Sequence, residues 1–311
     1  MNIFHIQIRP LLAATALVAL AGCARQDTGH VRVDPQLAAM VPPGTLSLAG
    51  GRMGDMRRTP LYEKFVAGQK VPLLERFAAE TGLDPRRDLE EFLIASDGKQ
   101  VLAMVRGKFK KSELEQKLIV AGSGTATYKG HTLLGRDGNV VVFKGEGIVL
   151  AGPEAGVRAV LDQTGPQTLP EVLAQQLASL PRQPHLWAIT SGGLPPLPVP
   201  DVGNLGNLNR VYASLESAVF WADLSSGMKL HVSAQCADET GAKQIYGALR
   251  ALVGLGRLST PSDRQELLQF YDGIDIQRQG QSLRLTANLP EDVVEILIRS
   301  FSNGARAPRV R

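Results

Sequence analysis

Cysteine, aromatic side chains and an excess of either charge are all scarce in this chain, and each scarcity removes a class of protein. Two cysteines, Cys23 and Cys236, permit one disulfide at most, so a cysteine-stapled scaffold is excluded. Lys and Arg number 34 against 30 acids, and the aromatic share is 5%. A nucleic-acid footprint needs a concentrated basic stripe interleaved with aromatics, and neither is present. Arg57-Arg58, Arg86-Arg87 and Lys108-Lys110-Lys111 each have Glu or Asp nearby. No apolar run reaches the roughly 20 residues a membrane-crossing helix needs. The motifs of common active sites are missing too. There is no GxxxxGK[ST], no G-x-S-x-G, no HExxH and no cysteine pair.

What is present is concentrated at the start. Met1 to Arg9 carries one formal charge, Arg9, and Pro10 to Leu20 is a run of Leu, Ala and Val interrupted by Thr15 alone. The length and flanks are those of a secretory h-region. The run ends in Leu20-Ala21-Gly22-Cys23, which resembles the lipobox of bacterial lipoproteins: an aliphatic residue, two small ones, then cysteine. The resemblance implies a diacylglyceryl thioether and a further acyl chain, typically palmitoyl, on Cys23, after removal of residues 1–22. One acyl chain binds a membrane marginally, and two or three hold it durably. Ala24 stands where an Asp would signal retention, which by the lipoprotein sorting rule implies the outer membrane, facing the periplasm. With Cys23 acylated, Cys236 has no partner for a disulfide. The processed chain keeps 33 basic residues against 30 acids, since Arg9 alone is lost.

Residues 23–43 contain Asp27, Gly29, Asp34, Pro35, Pro42 and Pro43 with little periodicity, which predicts a flexible spacer below the body. The body opens with a strand over Thr45 to Ala49, ended by Gly50-Gly51. Thr59-Pro60 starts a helix, Thr as cap and Pro at the first helical position. Asp84 reads as a turn former before Pro85, and Asp88 as the cap of a short helix through Phe92. A strand follows over Val101 to Val105, then a helix from Ser112. Three strand-turn-strand-helix units come next. The first has Val140 to Phe143, Ile148 to Ala151 and a helix from Pro153. The second has Ala218 to Leu224, Met228 to Cys236 and a helix capped near Asp238. The third has Ile274 to Arg278, Ser282 to Leu289 and a helix after Pro290. Repeated hairpin-helix units define the α+β class: antiparallel sheet with helices on one face, in two similar subdomains. The expected divisions are 44–165 and 186–302, a connecting helix within 166–185, and a basic tail over 303–311. Thr59 to Phe65, Thr81 to Pro85, Val105 to Phe109 and Tyr128-Lys129-Gly130 together resemble uncharacterised secreted or lipid-anchored bacterial proteins, a resemblance that implies no activity.

Candidate chemistry is sparse. The alternation Met228, Leu230, Val232, Ala234, Cys236 puts the free thiol on a buried strand face, with Lys229, His231, Ser233 and Gln235 opposite. His131, His185 and His231 are isolated from other metal-ligating residues. His131 beside Tyr128 is a catalytic candidate against the alternative of a solvated or capping histidine. Ser191 before Gly192-Gly193 ends a strand, but the prolines that follow oppose the helix a nucleophile elbow needs. Asp84 and Asp88 as an acid pair, and Lys108 to Lys111 as an anion-binding run, compete with capping and solvation. No catalytic, cofactor or metal role is therefore assigned to any residue, and Cys23 alone is assigned, to lipidation. Three functions stay open: a non-enzymatic binding or structural module of the cell envelope, a carrier of a lipid or other apolar ligand, and a hydrolase with dispersed residues. The expected partners are the membrane through the lipid, and an envelope protein or apolar ligand.

Overall fold

The computed structural model describes residues 31–68, 75, 78–79, 83–165, 169–192 and 214–296. The chain enters through α1 (Pro35–Ala38) and then forms β1 (Ser47–Arg52). Short turns α2 (Met53–Met56) and α3 (Pro60–Tyr62) follow. As the Thr-Pro pair predicts, the Thr59 hydroxyl accepts the Tyr62 N–H. A four-residue helix α4 (Pro85–Asp88) then leads directly into β2 (Leu89–Ser96) and β3 (Val101–Gly107). Here the capping assignment is corrected. Asp84 caps α4 by accepting the Arg86 N–H at 3.0 Å, while Asp88 ends that helix and accepts the Asp84 N–H. Residues 89–92, expected as helix, are strand, because β2 pairs on both edges, with β1 and β3, and its alternation buries Leu93 and Ala95 on the first face.

Helix α5 (Lys111–Val120) crosses to the sheet edge. From there β4 (Gly124–Tyr128), β5 (His131–Arg136), β6 (Asn139–Phe143) and β7 (Ile148–Pro153) return until β7 pairs with β3. The β4–β5 turn is tight because Lys129 (φ 46°) and Gly130 (φ 78°) both take the left-handed conformation that a two-residue hairpin demands. Helices α6 (Glu154–Asp162) and α7 (Glu171–Ser179) precede β8 (Leu186–Thr190). The same path then repeats. Strands β9 (Leu215–Asp223) and β10 (Met228–Cys236) continue the meander, and α8 (Glu239–Leu258) and α9 (Gln265–Asp272) cross to the far edge. There β11 (Ile274–Gln279) and β12 (Ser282–Leu289) return to β10, and residues 291–296 are helical.

The described strands form one antiparallel twelve-stranded sheet in the order β11-β12-β10-β9-β8-β1-β2-β3-β7-β6-β5-β4. The fold is α+β. Its two stretches, β1–β7 and β8–β12, are joined by hydrogen bonding between β1 and β8, Leu48 opposite Ile189. Gly50 and Gly51 do not end β1 but lie within it. A Cβ on Gly50 would stand 2.5 Å from the Trp187 ring, and one on Gly51 2.8 Å from Phe92, so the glycines admit two aromatic rings at the join.

Helices lie on both faces, not on one. On the first face α1, α6 and α7 cover a core of Leu93, Met104, Leu150, Val142, Trp187 and Ile189. On the opposite face α5 covers Leu134 and Phe143, α8 covers Cys236 and Leu283, and the 291–296 segment covers Leu289 and Ala287. The described part of the expected spacer is likewise corrected. Val31, Leu37, Met40 and Val41 are buried in the largest core cluster. Asp34 fixes them, capping α1 and accepting two bonds from the Arg106 guanidinium at 2.5 and 2.9 Å. Proline and aspartate there build a helix start and its cap, not a disordered linker. The expected signal segment, Cys23, the proline-rich 193–200 stretch and the expected tail lie outside the described residues.

Candidate functional site

Cross-strand register places residues from distant parts of the chain in one row on the second face. Ala103, Ile94, Ala49, Ala188, Phe220 and Val232 are consecutive neighbours across β3, β2, β1, β8, β9 and β10. Every one is apolar. The next row runs Val101, Ser96, Ser47, Thr190, Ala218 and Ala234. Its hydroxyls form a short ladder, the Ser47 and Thr190 oxygens 2.7 Å apart. No described helix covers the middle of these rows. The result is a trough of about 400 Å3 over Ala49, Ile94, Ala188, Phe220 and Val232, with the hydroxyls along one end.

Val101 is shared with a second recess of about 350 Å3, which continues toward α5 over Ala103, Ala151, Leu134 and Leu118, with Arg136 and Asn139 at its rim. Ile94 is 36% and Val101 48% exposed. The rest of the second face is closed by α5 at one flank and α8 at the other. An antiparallel sheet commonly leaves one face to water, but that face is then polar. Here the uncovered part of the face is apolar, the feature that marks a binding surface. A surface of this kind can bury hydrocarbon, while the hydroxyls at its end are engaged within the protein, Thr190 with the Leu46 and Gly192 carbonyls and Ser96 with the Gly98 N–H.

The first face of the second stretch shows the ordinary arrangement. His231, Ser233, Gln235, Arg284 and Gln277 stand on it uncovered, bordered by Gln176 of α7. His231 stacks on Trp221 at 5.3 Å, and burial together with Arg284 holds its pKa below the usual value.

The chemical candidates named from the sequence are occupied elsewhere. Tyr128 donates to the Asp162 carboxylate at 2.8 Å, Lys129 reaches the same group at 2.6 Å, and Arg158 lies 4.3 Å over the Tyr128 ring. That cluster ties the β4–β5 hairpin to α6. Hydrogen bonds from Lys129 and Tyr128 hold Asp162 strongly acidic. His131, paired with Tyr128 in register, is kept neutral by burial and by Lys144 and Lys111. Among the described residues, no carboxylate is among the groups that act on it. His185 accepts the Leu224 N–H at 3.1 Å. Ser191 donates to the Leu46 carbonyl. Asp84 is kept ionised chiefly by its bonds from Arg86. Lys108, Lys110 and Lys111 pair with Glu90, Glu113 and Glu115.

Cys236 is fully buried beside Ala242, Ile245 and Leu283, as the strand alternation predicts. Burial first, then Asp238 and Glu216, raise its pKa and disfavour the nucleophilic thiolate. Among the described residues no three His, Cys, Asp or Glu side chains gather as metal ligands. The trough itself escaped sequence reasoning. Its one local sign was the Phe92-Leu93-Ile94-Ala95 run, apolar on both strand faces.

Fold and site together define an antiparallel α+β protein with an open apolar trough. No family model matches the chain, and no curated protein is similar to it. Among solved structures, crystal form I of TP0453 is similar over 86% of this chain and 98% of its own, with 12% identity and a TM-score of 0.43. Crystal form III of TP0453 gives 10% identity, 86% and 99% coverage and a TM-score of 0.45. Among the described residues, no helix is long and apolar enough to cross a membrane.

Proposed function

We propose that this protein is a lipid-anchored, non-enzymatic binding module of the bacterial cell envelope, held to the outer membrane through acylated Cys23, whose trough takes the hydrocarbon chain of an amphiphile. The observation that carries the reading is the uncovered row Ile94, Ala49, Ala188, Phe220 and Val232 between α5 and α8. Apolar area buried there gains about 25 cal/mol per Å2. The engagement of Tyr128, Asp162, His185 and Ser191 in structural bonds supports binding over catalysis.

The anchor is tested by metabolic labelling with a fatty-acid analogue. Wild-type chain should take the label and Cys23→Ser should not, and label on the variant would refute the anchor. The trough is tested by displacement of a fluorescent fatty acid with palmitate. Wild-type chain should bind and exchange the probe. Ala188→Phe, which adds a ring on the trough floor away from the first-face core, should abolish binding while leaving the circular dichroism unchanged. Equal binding by both chains would refute the site.

A further inference from the structure

Helix α8 carries two apolar stripes, and the fold uses one. Ala242 and Ile245 are buried beneath it, and Leu249 packs with them against Cys236 and Leu283. A second stripe, Ala248, Ala251, Leu252, Leu255 and Leu258, recurs at the same three- and four-residue spacing and faces outward. Its leucines are 53, 62 and 86% exposed. A surface helix of a globular protein has one apolar stripe and a polar face opposite. On α8 the outward arc between Gln244 and Leu258 has Gln244 as its single polar side chain, with Gly247 and Gly254 completing it.

One border of that arc is cationic. Lys243, Arg250 and Arg257 are seven residues apart, so they form a row along the helix, and all three are exposed. Arg257 shares its charge with Asp272 at 2.8 Å. Arg250 lies against Tyr246, and neither it nor Lys243 has a carboxylate partner among the described residues. The only acid in the helix, Glu239, is held by Arg278 at 2.9 Å. A second copy of this face thus brings no carboxylate to meet the row, whereas anionic headgroups do. The arrangement of leucine stripe, small neighbours and basic border is that of a helix lying in a membrane interface.

We propose that α8 docks this body on an anionic lipid surface, with Leu252, Leu255 and Leu258 entering the acyl boundary and Lys243 and Arg250 at the headgroups. The site is separate from the trough and does not need the trough to hold a ligand. The test uses the full-length chain reconstituted into vesicles, with Leu255→Trp as a depth reporter. Trp187 is buried and Trp221 half-buried, so their emission forms a steady background. In phosphatidylglycerol-containing vesicles with brominated acyl chains, the added emission should be largely quenched. In zwitterionic vesicles, at high salt, or with Lys243→Gln and Arg250→Gln added, the quench should fall several-fold. Because every sample is vesicle-bound, a failed anchor and a failed helix contact read differently. Unquenched Leu255→Trp in anionic vesicles overturns the proposal. So does equal quenching in zwitterionic vesicles. Cross-linking of Leu255→Cys chains to one another without quenching would reassign the stripe to an interface between copies.

Discussion

The two stretches of the sheet follow one path, a meander, a crossing helix and a return, yet they cover their faces differently. In β1–β7 the first face is closed by α1, α6 and α7, while on the second α5 closes β5 to β7 and leaves β1 to β3 open. In β9–β12 the crossing helix α8 and the 291–296 segment both lie on the second face, and no described helix covers the first face of β10 to β12. There His231, Ser233 and Gln235 are half-buried and Arg284 is exposed, all polar, and nothing needs explaining. Between α5 and α8 Ile94 and Val101 are exposed and Phe220 is half-buried, all apolar, and something does. Exposure alone is therefore uninformative in this molecule. Exposure of a row whose chemistry matches the buried rows beside it is what marks a site.

Four perturbations bear on this contrast between closed and open faces. The largest effect is expected from deleting residues 31–40. Val31, Leu37 and Met40 are 8, 0 and 5% exposed. Each such side chain contributes about 1.5–3 kcal/mol, against a total margin of about 5–15 kcal/mol. A chain lacking residues 31–40 should lose cooperative unfolding in urea, and an unchanged midpoint would show that the first face is not closed by this segment. Next is Gly50→Ala. Its Cβ would overlap the Trp187 ring, and overpacking of this kind costs about 1–3 kcal/mol. A drop in the urea midpoint without a change in slope is expected.

Asp34→Asn comes third, at about 1 kcal/mol near neutrality, because it keeps the cap but loses the charge opposite Arg106. Bonds from Arg106 hold the Asp34 pKa below its ordinary value. A depressed folded pKa means stability present above the unfolded value near 3.9 and lost as pH falls through the folded one. The difference between wild type and variant should therefore close on acidification. A gap that widens instead would contradict the pairing. The smallest effect belongs to the open face. Ile94→Ala should change stability by less than about 1 kcal/mol, since its side chain is already partly in water. A loss of several kcal/mol would show that the trough is covered in solution.

Hairpins and caps were legible because their signals are local. Lys129-Gly130 fits its turn, Asp238 caps α8 by accepting the Gly241 N–H, and Thr59 caps α3. Strand β2 was not legible, because Pro85 and the acids Asp88, Glu90 and Glu91 imitate a helix start. The core role of 31–41 was hidden by its prolines and aspartates, which serve α1. On α8, residue type does not tell Leu252 of the outward stripe from Leu249 of the packed one. The trough could not be read at all. Ile94, Ala188 and Phe220 become neighbours only through β1, and their residue types do not differ from those of the core. What sets them apart is the lack of a described helix above them, a property of topology and not of pattern.

The docked α1 also sets a length. With the whole 23–43 segment extended, a lipid on Cys23 would let the body wander about 70 Å from its membrane. Because Val31 is already in the core, at most eight peptide steps separate it from Cys23, a reach under about 30 Å. That is comparable to the length of α8 itself, a 20-residue helix at about 1.5 Å per residue. An acylated chain would thus be leashed, unable to cross a wide compartment while attached. Any amphiphile it takes up would have to come from, and return to, the leaflet beneath it.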